Sequence, residues 1–125
     1  KEGSYECFLS EETELPMMFM TDAIKATTEL MQAPAEHIKI RSAYNLAAIS
    51  FTPQQIFESI KKHIPEFTIT YKPDFRQAIA DSWPSSIDDS VARLEWGWQH
   101  DFDLDKMTLE MIENLEKQVC KVQFN

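Results

Sequence analysis

Residues Phe51–Tyr71 read FTPQQIFESIKKHIPEFTITY, and they contain a helix with both of its ends and the strand that follows it. Thr52 suits the N-cap, Pro53 the first helical position, and Gln55, three residues after the cap, completes a capping box. Ile56, Phe57, Ile60 and Ile64 form the inner stripe of this helix. Lys61, Lys62 and His63 crowd its electronegative C-terminal end, and Pro65 follows the last turn. Phe67–Tyr71, FTITY, alternates and is rich in β-branched and aromatic residues, which predicts a strand. A capped amphipathic helix leading into a strand places the chain among the mixed classes.

The flanks repeat the mixture. Ser4–Leu9 reads as a short apolar-aromatic strand and SEETE as an acidic turn. Leu15–Met20 is a second strand whose early proline suits an edge. Thr21 or Asp22 can cap DAIKATTELMQA, with Ala23, Ile24, Thr27, Leu30 and Met31 on the inner face and Pro34 closing the helix. Ser42–Ala48, SAYNLAA, reads as a buried strand, and Lys72–Ser86 as a loop. Ser86 or Asp88 then caps DDSVARLEW, which Gly97 ends as a C′ residue. After the extended WQHDFDL, Asp103 or Asp105 opens a last helix with Leu104, Met107, Met111, Ile112, Leu115 and Val119 at helical spacing. The class is α/β, or α+β for the piece taken alone, with short strands and several small helices in one region, residues 1–125. Only two strands have a helix crossover, too few for a complete doubly wound domain.

Composition narrows the chemistry. The 125 residues are 43% hydrophobic and 26% charged, with a formal net charge of −9. That balance argues against nucleic acid, which is held by Lys and Arg on phosphates, and against an anionic membrane surface. No apolar run approaches the ~20 residues that span a bilayer, and KEGSYECF has no apolar core segment of a signal peptide. Cys7 and Cys120 form no C-x-x-C pair and read as reduced thiols. With two glycines, Gly3 and Gly97, there is no G-x-G-x-x-G or Walker loop, so no cofactor-binding residue is expected. His37, His63 and His100 are far apart, and Asp101, Asp103 and Asp105 lack the glycine and the twelfth-position Glu of a calcium loop. No metal ligand is expected. No nucleophile elbow occurs, and no catalytic residue is assigned. Trp96 and Trp98 read as rings pinning a turn onto the core, and Met17, Met18 and Met20 as strand packing.

One stretch is left over, Phe75–Pro84, FRQAIADSWP. It is too irregular for a good amphipathic helix and too apolar for idle linker. Arg76 and Asp81 could satisfy one another or the backbone while Trp83 plugs the core. Alternatively the loop covers a small polar ligand, since scaffold-held loops are where such contacts concentrate.

Three segments carry a resemblance: LPMMFMTDAIKATTELM, then YNLAAISFTPQQIFESIKKHIPEFTITYKPDFRQAIADSWPSSIDDSVARLEWGW, and DFDL. They resemble the C-terminal part of short-chain-type L-threonine 3-dehydrogenases, relatives of the nucleotide-sugar epimerases among the extended short-chain dehydrogenase/reductases. MTDAIKA, YNL and DDSVARLEWGW are shared by the wider epimerase-like group, whereas YKPDFRQAIADSWPSSIDDS is specific to the threonine enzymes. The likeness runs from about Tyr5 to Leu115. It implies an oxidoreductase of threonine catabolism that converts L-threonine and NAD⁺ into L-2-amino-3-oxobutanoate and NADH. An N-terminal Rossmann domain would hold NAD, a Tyr-x-x-x-Lys pair would take the hydroxyl proton, and the complete enzyme would be a homodimer. Neither Tyr44 nor Tyr71 is followed by a Lys four residues on, so that chemistry is expected upstream of Lys1. The piece alone is expected to be inactive and to bind no NAD. The resemblance makes Trp83 the first candidate substrate-binding residue, an apolar wall for the threonine methyl in a lid, with Asp81 and Arg76 as further candidates that orient the loop more than they touch substrate. Its eukaryotic members imply a mitochondrial location and its bacterial members a cytoplasmic one. Other readings are a non-catalytic interaction protein, or part of a nucleotide-sugar epimerase or dehydratase. An uncovered apolar face would make the piece associate.

Overall fold

Helix α2 (Pro53–His63) forms as its ends dictate. The Gln55 N–H donates to Thr52 Oγ1 at 3.3 Å while the Thr52 N–H donates to Gln55 Oε1 at 2.9 Å, so two of the helix's orphan donors are satisfied reciprocally. The computed structural model describes residues 3–122, with side chains up to Val119. In chain order the other elements are β1 (Ser4–Cys7), β2 (Leu15–Met17), α1 (Met20–Gln32), β3 (Ile49–Phe51), β4 (Thr68–Tyr71), α3 (Phe75–Ala80), α4 (Ser90–Trp96) and α5 (Leu104–Val122).

The strands form two small sheets. β1 and β4 pair in parallel, with Ser4 opposite Thr68 and Cys7 opposite Tyr71. β2 and β3 pair antiparallel, with Leu15 opposite Phe51 and Met17 opposite Ile49. In a two-stranded sheet every strand is an edge, which is where Pro16 can be tolerated. Ala26 of α1, Ala92 of α4 and Trp98 are fully buried in one cluster, flanked by Met18, Tyr44, Leu46 and Trp96. Gly97 at φ 79° ends α4 and lets the chain turn sharply between the two tryptophans. Their rings lie 6.0 Å apart, pinning that turn onto the core as expected. On the other side, α2 meets α5 through a polar seam. The Ser59 hydroxyl donates to Asp105 Oδ1 at 2.7 Å, and Lys62 Nζ lies 2.6 Å from Asp105 Oδ2.

Several expectations need correcting. Ser42–Ala48 is irregular rather than a strand. At Ala47 its backbone pairs with side chains instead of a ladder: the N–H donates to Asp89 Oδ2 at 3.3 Å, and the carbonyl accepts from Trp98 Nε1 at 2.9 Å. Helix α1 starts at Met20, and Phe19, at its N-cap, makes no side-chain cap bond. Asp22 is fully buried at the third helical position, three residues past the N-cap. Its carboxylate accepts the N–H groups of Asp101 at 2.9 Å and Phe102 at 3.1 Å. That anchor turns Asp22 and Ala26 inward and leaves Ile24, Thr27 and Met31 exposed, the opposite of the face that hydropathy selects. Helix α4 begins at Ser90, whose N–H donates to the Asp88 carboxylate at 2.9 Å, so Asp88 and not Ser86 serves its start. Asp103 does open α5, accepting from the Lys106 N–H at 2.8 Å. Along α5, Met107 is buried, whereas Met111, Leu115 and Val119 are exposed. Lys72–Ser86 is not one loop, because α3 lies within it. Cys7 is a buried free thiol, and the Cys120 side chain lies outside the described residues.

Candidate functional site

FRQAIADSWP folds into α3 and the turn after it. Asp74 caps the helix, its Oδ1 accepting the Arg76 N–H at 2.9 Å. The Arg76 guanidinium bends back onto the same carboxylate, with Nε 3.0 Å from Oδ1 and Nη2 2.6 Å from Oδ2. It also stacks over the Phe8 ring, Cζ 3.5 Å from the centroid. This fork holds the Asp74 carboxyl below the usual range and the guanidinium above its own. Arg76 is therefore engaged by Asp74, and the Arg76–Asp81 pair does not form.

Asp81 ends the helix and accepts from Gln77 Nε2 at 2.6 Å. Gln77 is the residue that sequence reasoning missed. Its Oε1 accepts the Ser10 N–H at 2.8 Å and its Nε2 also reaches Thr13 Oγ1 at 2.8 Å. The spacing Gln77–Asp81 is a helical i, i+4 pair and could have been noticed. The tie to Ser10 and Thr13, more than sixty residues away, could not.

Trp83 does not plug the core: it is 61% exposed. Phe75 and Ile79 are 77% and 53% exposed, and with Trp83 they stand at i, i+4 and i+8. One edge of α3 and its turn is thus an outward apolar ridge, while the polar edge is bound to residues 8–13.

Beside this platform lies an apolar groove of about 420 Å³ bounded by β1, β2, α2 and β4, lined among others by Tyr5, Cys7, Leu15, Phe51, Ile56 and Phe67. A second, of about 560 Å³, runs between the β2–β3 edge, α2 and α5, with Met18, Ile60, Met107 and Met111 in its wall. Met17, Phe51, Ile56 and Ile60 border both, so the inner stripe of α2 is only half-covered. These linings suit apolar packing and not the charged ends of an amino acid. On the far side, burial pushes the Asp89 carboxyl up, but Arg93, with Nε 2.8 Å from Oδ1, and the Ala47 N–H bring it below the usual range.

Among the described residues no glycine opens a helix as a dinucleotide-binding turn would require. Gly97 closes a helix rather than opening one, and Thr52 and Asp103 already occupy the starts of α2 and α5. Among the described residues no group of three His, Cys, Asp or Glu side chains could hold a metal ion. Nor among them is any helix long and apolar enough to cross a membrane.

No protein-family model matches the chain. The mitochondrial L-threonine 3-dehydrogenase of Sus scrofa is 53% identical over 113 residues, which are 90% of this chain and 30% of that protein. An uncharacterized epimerase/dehydratase of Staphylococcus saprophyticus is 45% identical over 117 residues, 93% of this chain and 37% of that protein. The crystal structure of L-threonine dehydrogenase from Phytophthora infestans superposes with a TM-score of 0.90 at 52% identity, covering 94% of this chain and 38% of that one. The apo form of a GalE-like L-threonine dehydrogenase from Cupriavidus necator gives 0.85 at 54% identity, covering 90% and 40%. The chain spans about a third of the length of these relatives. In sequence and in fold, it resembles a part, about one third of the whole, of the epimerase-like L-threonine 3-dehydrogenases.

Proposed function

We propose that this chain is the C-terminal, substrate-side part of an NAD-dependent L-threonine 3-dehydrogenase, silent on its own. The observation that carries the reading is the joint likeness to the threonine enzymes, 53% identity to the porcine protein and a TM-score of 0.90 to the Phytophthora one. In the whole enzyme a separate Rossmann domain would supply NAD and the Tyr-x-x-x-Lys pair that takes the hydroxyl proton. Here Trp83 would form the apolar wall against the threonine methyl and keep water from the reacting carbon. Asp81 and Arg76 would hold α3 and its turn rather than touch substrate, since each is already hydrogen-bonded within or beside the helix. The apolar grooves suit packing against that second domain, and the complete enzyme would be a homodimer. The mammalian relatives are named as mitochondrial, which supports a mitochondrial location over a cytoplasmic one.

The staphylococcal relatives favour a second reading, in which the partner domain works on another hydroxylated substrate such as a nucleotide sugar. One experiment separates the two. The chain alone, and a chimera in which it replaces the matching 113-residue segment of the porcine enzyme, are assayed for NADH formation with L-threonine and NAD⁺. The expected result is no NADH from the chain and threonine-dependent NADH from the chimera. Turnover of UDP-sugars but not of threonine would overturn the proposal.

A further inference from the structure

Three neighbouring side chains bind α3 to the segment between β1 and β2. Asp74 and Arg76 form the fork stacked on Phe8. Gln77 accepts the Ser10 N–H and donates to Thr13 and to Asp81, with 2.8, 2.8 and 2.6 Å between heavy atoms. The Ser10 and Thr13 hydroxyls lie 2.6 Å apart, so this segment is itself cross-braced. After Asp81 the backbone turns tightly: the N–H groups of Asp81, Ser82 and Trp83 donate to the carbonyls of Gln77, Ile79 and Ala80. The Ser82 hydroxyl caps the Ile79 carbonyl at 2.6 Å. Trp83 itself is 61% exposed, and its backbone N–H is fixed by the Ala80 carbonyl. Its position is inherited from this turn.

We propose that Gln77 is a positioning residue: by tying Ser10 and Thr13 to Asp81 through one carboxamide, it holds the Asp81–Trp83 turn, and hence the Trp83 ring, in place before substrate arrives. The inference rests on the reading of Trp83 as the substrate wall, and it replaces a mobile lid by a braced platform. A carboxamide suits the task because it offers an acceptor on one side and donors on the other. Glutamate keeps the acceptor for Ser10 but loses the donor, and it sets a carboxylate against the Asp81 carboxylate. Pairing Gln77→Glu with Asp81→Asn restores a donor and an acceptor between the two positions with the polarity reversed.

The test has two arms. In the chain itself, hydrogen exchange is followed at the amides of residues 81–83. Gln77→Glu is expected to speed it about tenfold, the loss of one hydrogen bond, and the Gln77→Glu/Asp81→Asn double variant to bring it back. Unchanged exchange in the single variant, or no recovery in the double one, would overturn the proposal. In the porcine chimera the same single variant is expected to raise the threonine KM about tenfold with kcat less affected, again recovered in the double variant. Faster exchange with an unmoved KM would overturn the link to Trp83. A chimera inactive on threonine before any substitution would instead remove the functional reading, and the exchange arm would still decide whether Gln77 holds the turn.

Discussion

Asp22 and Trp83 invert what hydropathy says of their types. Asp22 is a carboxylate with no exposed surface, kept in the interior because two backbone N–H groups, of Asp101 and Phe102, point at it. Asp22→Ala leaves both donors orphaned at the junction between α1 and α5, and is expected to cost about 3 kcal/mol in urea unfolding. Trp83 is a large apolar ring left mostly in solvent. Trp83→Ala is therefore expected to change the stability of the chain by less than about 0.5 kcal/mol, while raising the threonine KM of the porcine chimera about tenfold. A large loss of stability with an unaltered KM would assign Trp83 to packing.

At the scale of elements, the helix with the fullest local signals is the one that forms where those signals place it. The reciprocal bonds between Thr52 and Gln55 close the start of α2 from within, while the Gln54 N–H beside them donates to the Glu11 carbonyl at 3.1 Å. Thr52→Ala is expected to destabilise the chain by about 1 kcal/mol, and Gln55→Ala to add little beyond it, because both act through the same box. A double-mutant cycle in chemical denaturation measures that coupling. α3 shows the opposite case. Six helical residues, Phe75–Ala80, are too few to be stable in isolation, and the ridge Phe75–Ile79–Trp83 points to solvent rather than to the core. The helix exists because Asp74 caps it and because Phe8, Ser10 and Thr13 hold its polar edge.

Over the whole molecule, the ion pairs set the response to pH. Arg76 lowers the carboxyl of Asp74, Lys25 that of Asp101, and Lys62, with help from Ser59, that of Asp105. Each folded value lies below the unfolded one of about 3.9. Their contribution is thus complete above about pH 4 and is lost as the pH falls through the folded values. Asp101 in turn raises Lys25, chiefly through their hydrogen bond. That contribution is complete below the unfolded value of about 10.4 and is lost as the pH rises through the folded one. These groups predict a plateau of stability between about pH 5 and pH 9 with a fall on each side, read from urea midpoints across that range. The two apolar grooves that share the stripe of α2 predict a second property. At micromolar concentration the chain is expected to sediment as a concentration-dependent association, which a covering domain would abolish. A strictly monomeric boundary would count against docking at the grooves.

Legibility in the sequence followed the range of the interactions. Caps, dipole-facing charges and alternation act within a few residues, so α2, β4, the Asp103 start of α5 and the Gly97 turn could be read directly. The likeness to the threonine enzymes, carried by YKPDFRQAIADSWPSSIDDS, was also legible, and it singled out Trp83. The irregular course of Ser42–Ala48 was not, because its backbone is held at Ala47 by the side chains of Asp89 and Trp98, more than forty residues on. Nor was the inward face of α1, which a buried carboxylate chooses over Ile24 and Met31, or the partner of Arg76, which is Asp74 and not Asp81. By itself the sequence determined the mixed class, the well-capped elements and the family likeness, all of which rest on local order. Only the tertiary structure decided which faces turn inward and which polar groups meet. Those depend on where the folded backbone leaves donors and acceptors that must be satisfied.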